Sequence, residues 1–212
     1  MEVITSHTNA DFDTFASMLA AKKLYPEARL VFSGSLEKGL RDALPAIDLP
    51  YIYEKAKDID LDKVERLILV DVRHPSRIGP FADVAARDGV DIHIYDHHPA
   101  SDGDLKGSVE VIKPYGSSTA VLTHIIKKKK IKLSPQEATI LMAGIYEDTG
   151  SLSYPSTTPK DMEAAAFLLS NGADLNVVTG FLKKELSPEE VSLLNDLLQA
   201  QTSYTIGGAE VV

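Results

Sequence analysis

Two stretches, Arg66-Leu67-Ile68-Leu69-Val70-Asp71 and Asp91-Ile92-His93-Ile94-Tyr95-Asp96-His97-His98-Pro99, decide how this chain reads. Each is a short apolar run that ends on a carboxylate. Runs of this length with little polar alternation are the pattern of strands buried on both faces. They span 66–70 and 91–95, and comparable runs stand at 2–5, 29–32, 51–53 and 109–112. Helical patterns fill 14–24, 37–43 and 78–87 between them. This alternation predicts an α/β fold with a mainly parallel, doubly wound, Rossmann-like sheet and helices on both faces.

From Ser117 onward the pattern is helix after helix, at 118–129, 135–146, 159–170, 175–181 and 188–203. Ser134-Pro135-Gln136-Glu137, Thr158-Pro159-Lys160-Asp161 and Ser187-Pro188-Glu189-Glu190 each supply a hydroxyl cap, a first-turn proline and an acid three residues on. Asn171-Gly172 offers a left-handed stop. The expected organisation is one domain over 1–203, with a βαβ half to about 115 and a helical half from about 116. Residues 204–212 read as the start of a further segment, as though the chain were a fragment of a longer protein.

Composition narrows the function. Thirty-one acids against 22 bases leave a formal net charge of −9, which argues against a surface that wraps duplex nucleic acid. The absence of cysteine excludes disulfides, thiolate zinc sites and a cysteine nucleophile. The 44% hydrophobic content suffices for a core without a metal or disulfide staple. The first residues carry no basic stretch followed by an apolar run, and no apolar segment approaches the roughly 20 residues needed to span a bilayer. A cytoplasmic protein without membrane contact is expected. The lysine run Lys127–Lys130 with Lys132 reads as the solvated end of a helix, where cations complement the dipole.

Chemistry-bearing residues gather behind the strands. His7, Asn9, Asp11 and Asp13 follow the first, Asp71 ends another, and Asp96-His97-His98 ends a third. A fourth group, Glu147-Asp148, follows a helix. Open parallel sheets collect ligands at the carboxyl ends of their strands, so His7, Asp11, Asp13, Asp71, Asp96, His97 and His98 converge on one edge. Acids crowded there repel one another and lose hydration unless something positive offsets them. Divalent cations are the simplest offset. Imidazole and carboxylate without thiolate suit Mn²⁺, Mg²⁺, Fe²⁺ or Zn²⁺, and the surplus of donors suits two ions, which clamp the attacking and leaving oxygens in phosphoryl transfer.

In this order, HTNADFD at 7–13, VD at Asp71, DHHP at 96–99 and YEDTG around Asp148 resemble the motifs of the DHH phosphoesterase superfamily, which includes RecJ-type exonucleases, nanoRNase/pAp phosphatases and family II inorganic pyrophosphatases. The resemblance implies that His7 and Asp11 bind one metal, that Asp13, His97 and Asp148 bind the other, and that Asp71 bridges them. It implies that His98 faces the substrate phosphate, with Asp96 orienting the histidine pair. Asn9 is expected to shape the turn and touch substrate. Ala10 stands where many relatives have proline. Ser117, Ser118 and Thr119 open a helix and are expected either to hold phosphate on free N–H groups or to supply no more than a serine cap. Arg73, His74 and Arg77 follow Asp71, and either arginine is a candidate for a phosphate or for an acid. His93 and His124 read as structural.

The expected function is a metal-dependent phosphoesterase using two ions, Mn²⁺ first and Mg²⁺ as the alternative, on a short single-stranded oligoribonucleotide or nucleotide. The segments 9–34 and 144–176 resemble the N-terminal DHH domain of bacterial proteins that continue into CBS domains and a poly(A) polymerase/tRNA nucleotidyltransferase head. Linked CBS and nucleotidyltransferase domains beyond residue 212 are therefore expected partners, and self-association is open. The rivals are a non-catalytic regulatory or RNA-positioning module that keeps its metals, and an inorganic pyrophosphatase. A dinucleotide oxidoreductase needs glycines in the first βα turn, and residues 6–11 have none.

Overall fold

The computed structural model describes residues 1–48, 51–183 and 188–211. Met1–Leu182 form one compact unit and Lys183–Val212 another.

In the first unit, strands β1 (Glu2–Thr5), β2 (Arg29–Phe32), β3 (Tyr53–Lys55), β4 (Arg66–Val70), β5 (Asp91–Asp96) and β6 (Val109–Ile112) form a single sheet in the order β3-β2-β1-β4-β5-β6. Every pair is parallel, so the doubly wound sheet expected as mainly parallel is wholly so. The run expected at 51–53 forms its strand two residues later. Its register is set by β2, with Tyr53 opposite Leu30 and the Tyr53 ring 5.3 Å from Phe15. Strand order reverses between β1 and β4. At such a reversal the following loops diverge in opposite directions and leave a crevice at the carboxyl edge.

The helices are α1 (Phe12–Leu24), α2 (Lys38–Ala43), α3 (Phe81–Ala85), α4 (Ser118–Lys129), α5 (Pro135–Asp148), α6 (Pro159–Ser170) and α7 (Leu175–Leu182). One core lies between the sheet and α1, α4 and α5, built on residues such as Ile4, Phe15, Met18, Ile68, Leu122 and Met142. A second covers the other face, where Ile78, Phe81 and Val84 meet Leu67, Leu69 and Ile94. Helix α1 is buried continuously from Phe12 to Ala21. It starts two residues before the helical pattern because Asp11 caps it, accepting from the Thr14 N–H at 2.9 Å. Helix α5 crosses α1 closely enough that a Cβ on Gly144 would sit 2.6 Å from Ala16 Cβ and 2.6 Å from Thr119 Oγ1.

The capping boxes at Ser134 and Thr158 are both formed. The one read at Ser187 lies outside the described residues. Lys127, Lys128 and Lys129 occupy the last turn of α4, and Lys130 ends it in the left-handed region at φ 55°. In the second unit, α8 (Pro188–Ala200) precedes an antiparallel hairpin of β7 (Tyr204–Ile206) and β8 (Ala209–Val211). Gly207 and Gly208 turn it with φ of 59° and 85°, the sign a tight hairpin turn of this hand requires at both positions. Among the described residues no helix is long and apolar enough to cross a membrane.

Candidate metal centre

The crevice at the β1–β4 reversal collects residues from distant parts of the chain. His7 leaves β1, Asp11 and Asp13 open α1, Asp71 ends β4, Asp96, His97 and His98 end β5, and Asp148 ends α5. Their ligand atoms fall into overlapping groups, each within 4.8 Å across. One is His7, Asp11 and Asp71; another is Asp13, Asp71, His97 and Asp148; a third joins Asp71 to His97 and His98. Asp71 belongs to all three. Its backbone is left-handed, at φ 57°, an unfavourable conformation for a residue with a Cβ and one that turns the carboxylate out of the strand line.

The histidines present the donor set a metal uses. His7 Nδ1 lies 2.7 Å from the Thr8 carbonyl and His97 Nδ1 lies 3.0 Å from the Tyr115 carbonyl. A proton on each Nδ1 can be donated to backbone, so each Nε2 becomes a metal donor once it gives up its own proton, the arrangement found behind metal-bound imidazoles. His97 Nε2 is buried without a hydrogen-bond partner, 3.6 Å from Asp71 Oδ1 and 3.3 Å from Asp148 Oδ2. A buried, unpartnered imidazole nitrogen facing two carboxylates is costly by itself and suits a cation between them. His7 Nε2 lies 3.3 Å from Asp71 Oδ2 and 3.8 Å from Asp11 Oδ2.

Electrostatics agree with that reading. Burial pushes the Asp11 carboxyl up to about 6, with Asp71 adding to it. Burial and the neighbouring Asp148, Asp71 and Asp11 carry Asp13 well above the usual carboxylate range. Burial acts on Asp71 in the same direction, but His7, His97 and His98 outweigh it and hold this carboxyl at about 2. Burial alone would depress His97, yet Asp148 and Asp71 raise it to about 9. The cluster thus balances its charge by retaining protons, and a divalent cation would balance it by displacing them.

Several further residues hold the candidate ligands in place. Thr14 Oγ1 lies 2.9 Å from Asp71 Oδ2 and 2.6 Å from His7 Nε2. The Ser118 hydroxyl donates to Asp71 Oδ1 at 2.9 Å. Glu147 accepts from the Phe12 N–H at 2.5 Å and the Asp13 N–H at 3.3 Å, tying the start of α1 to the end of α5. Burial, with Asp11 next to it, pushes the Glu147 carboxyl up to about 7. Asp161 accepts from the Gly116 N–H at 2.9 Å and so fixes the turn whose Tyr115 carbonyl orients His97. Capping signals made Asp161 visible as a helix start, but its second partner lies 45 residues away.

The helix start expected to hold phosphate is already filled. Ser117, Ser118 and Thr119 are wholly buried, and the Ser118 and Thr119 N–H groups donate to the Asp13 carboxylate at 2.9 and 3.0 Å. The anion at this N-terminus is thus a side chain of the protein. Asp96 is buried too; it accepts from the His97 N–H and bonds His98 Nδ1, both at 2.8 Å. Arg73 is consumed structurally, pairing with Asp104 at 2.8 Å and Asp96 at 3.5 Å and donating to the His98 carbonyl. Asn9 is exposed in the left-handed region at φ 60°. The Ala10 N–H donates to the Ser35 carbonyl at 2.9 Å, a bond that proline could not make. His93 bridges Asp91 and Tyr25, and His124 Nε2 meets the Lys160 carbonyl.

Residues 2–145 match the DHH family, N-terminal domain. The chain belongs to the DHH family. The chain is similar to an A-adding tRNA nucleotidyltransferase of Geobacter sulfurreducens, 50% identical over all 212 residues, of which it spans 24%. The cyclic-di-AMP phosphodiesterase GdpP of Bacillus subtilis is 34% identical over 135 residues, 62% of this chain and 20% of that protein. The crystal structure of an exopolyphosphatase-related protein from Bacteroides fragilis shares the fold at a TM-score of 0.74 and 19% identity, covering 95% of this chain and 62% of that one. DHH family members include phosphoesterases, and this DHH chain carries acid and histidine groups suited to metal.

Proposed function

We propose that this chain is a two-metal phosphoesterase domain that hydrolyses a phosphodiester or phosphomonoester of a short oligoribonucleotide or nucleotide. The observation that supports it most directly is the pair of ligand groups meeting at Asp71, with His97 Nε2 buried and unpartnered between two carboxylates. His7, Asp11 and Asp71 would hold one ion, and Asp13, His97, Asp148 and Asp71 the other. Mn²⁺ suits this imidazole and carboxylate set, with Mg²⁺ as the alternative. When bound, such ions supply an activated water and offset charge on the phosphoryl oxygens.

The chain's own residues do the rest. His98 is the more exposed of the histidine pair, and its Nδ1 is engaged by Asp96 at 2.8 Å. Its Nε2 is thereby left to face a substrate phosphate and, when protonated, to donate to a phosphoryl oxygen. Asp96 fixes that ring and Arg73 fixes the turn beneath it. Ser118 and Thr119 act through the Asp13 carboxylate they hold. Asn9 is exposed between His7 and Asp11 in the chain, where it would touch substrate. The likeness to a much longer tRNA nucleotidyltransferase supports a place in a multidomain RNA-processing protein, with CBS and nucleotidyltransferase domains following this one.

Asp71→Asn tests the reading, since the amide keeps the shape but loses the shared charge. Calorimetry should show two Mn²⁺ bound by the wild type and loss of that binding in the variant, with circular dichroism unchanged. Mn²⁺-dependent release of product from a panel of oligoribonucleotides, 3′-phosphoadenosine 5′-phosphate and pyrophosphate should vanish with it. Unchanged turnover in Asp71→Asn refutes the assignment; metal binding with silence on every substrate favours a non-catalytic module.

A further inference from the structure

Five of the six arginines pair with carboxylates among the described residues. The sixth, Arg77, is exposed and has no such partner there. It ends the short turn Pro75–Arg77 that follows β4, on the carboxyl edge of the sheet. Its carbonyl accepts from the Thr8 N–H at 2.7 Å, which places its backbone one residue from His7. The platform beneath it is close-packed: a Cβ on Gly79 would meet the Ser33 carbonyl at 2.8 Å and Thr8 Cγ2 at 3.3 Å. Arg73, the other arginine of this loop, is spent on Asp96 and Asp104. An uncommitted guanidinium on a loop whose backbone is fixed next to the His7 segment is well placed for a dianion that enters with the substrate.

Resting on the phosphoesterase reading above, we propose that Arg77 binds a second, terminal phosphate of the substrate while the scissile phosphate occupies the metal centre. Guanidinium is the suitable cation for this, because its planar fork grips phosphate by two parallel hydrogen bonds. The substrate class is then a nucleotide or short oligonucleotide with a phosphomonoester end, in preference to the same molecule without one. Lys113 follows β6 and is also exposed at this edge. Three strand intervals separate β6 from β1, about 14 Å at the usual spacing, so Lys113 flanks the opposite end of the crevice.

The probes are slowly hydrolysed phosphorothioate diadenylates with no terminal phosphate, a 5′-phosphate or a 3′-phosphate. Each is titrated calorimetrically into the full, Mn²⁺-loaded chain. The wild type should prefer a terminally phosphorylated probe, and whichever end it prefers identifies which phosphate Arg77 takes. Arg77→Ala should lower that preference by about 10- to 100-fold, the range for hydrogen bonds to a charged group, and Arg77→Lys should restore part of it. Lys113→Ala should keep it. Preference retained in Arg77→Ala, or lost equally in Lys113→Ala, overturns the proposal by reducing it to general electrostatics. A wild type that hydrolyses oligonucleotides but binds all three probes alike overturns the Arg77 site alone. One that binds none and hydrolyses nothing overturns the phosphoesterase reading with it.

Discussion

Gly144→Ala puts one methyl group where α1, α4 and α5 meet, and its cost follows from the geometry. The new Cβ would lie 2.6 Å from Ala16 Cβ, 2.6 Å from Thr119 Oγ1 and 3.1 Å from the Phe12 carbonyl. Ordinary contact starts near 3.4 Å, so the helices must part by roughly 0.8 Å. Overpacking of this kind costs about 1–3 kcal/mol, and hard contacts on two sides put it near the upper end. Alanine regains about 1 kcal/mol of helix propensity. The net loss is about 2 kcal/mol, or a Tm lower by about 4–8 °C for a domain of this size. Because Asp13 rides on α1 and Asp148 on α5, the same separation pulls two proposed ligands apart and should weaken Mn²⁺ uptake about tenfold or more. Gly180 in α7 is the control: a Cβ there meets nothing within 4 Å, so Gly180→Ala should raise stability by a few tenths to 1 kcal/mol. Thermal unfolding with and without Mn²⁺, run on both variants, reads both effects. A Gly144→Ala protein at least as stable as the wild type would refute the packing argument.

Two further outcomes are expected. Asp161→Ala strips the partner from the buried Gly116 N–H and from the Thr158 N–H and hydroxyl. Unfolding should show a loss of about 1–3 kcal/mol for the one buried group left unpaired, with a smaller addition from the half-buried Thr158, and Mn²⁺ affinity should fall with it through the Tyr115 carbonyl that orients His97. Burial pushes the Glu137 carboxyl up, but Lys23, Tyr51 and the Ser134 N–H outweigh it and hold the carboxyl below its ordinary 4.5. A folded value below the unfolded one means stability that is present above about pH 4.5 and lost as pH falls through the lower folded value. Tm against pH should therefore be shallower below pH 4.5 in Glu137→Gln than in the wild type, and parallel curves would count against this pairing.

Much of the architecture was legible along the chain because its signals are local. Apolar runs such as 66–70 and 91–95 announce buried strands whatever surrounds them, and the proline-bearing caps at Ser134 and Thr158 mark helix starts by their own hydrogen bonds. Boundaries were less legible where a side chain overrode the pattern. Asp11 draws α1 back to Phe12, and pairing with β2 delays β3 to Tyr53. The candidate ligands stood out as acids and histidines behind strands, and family motifs suggested how they divide between ions.

The supporting residues were another matter. Glu147 is bound to the start of α1 from 135 residues away, Asp161 reaches back 45 residues to Gly116, and Ser118 reaches Asp71 across 47. Motif and position marked Glu147 and Ser118, and capping marked Asp161, but nothing local says which distant partner each takes. The same holds for Arg73 and Arg77, four residues apart on one loop. One is buried against Asp96 and Asp104, the other is exposed beside Thr8. Sequence alone determined that strands would end in carboxylates and imidazoles, since periodicity and residue chemistry are properties of neighbours. Which helix start receives Asp13, which arginine is spent and which is left over were decided only in three dimensions, because burial and charge compensation depend on what the fold brings alongside.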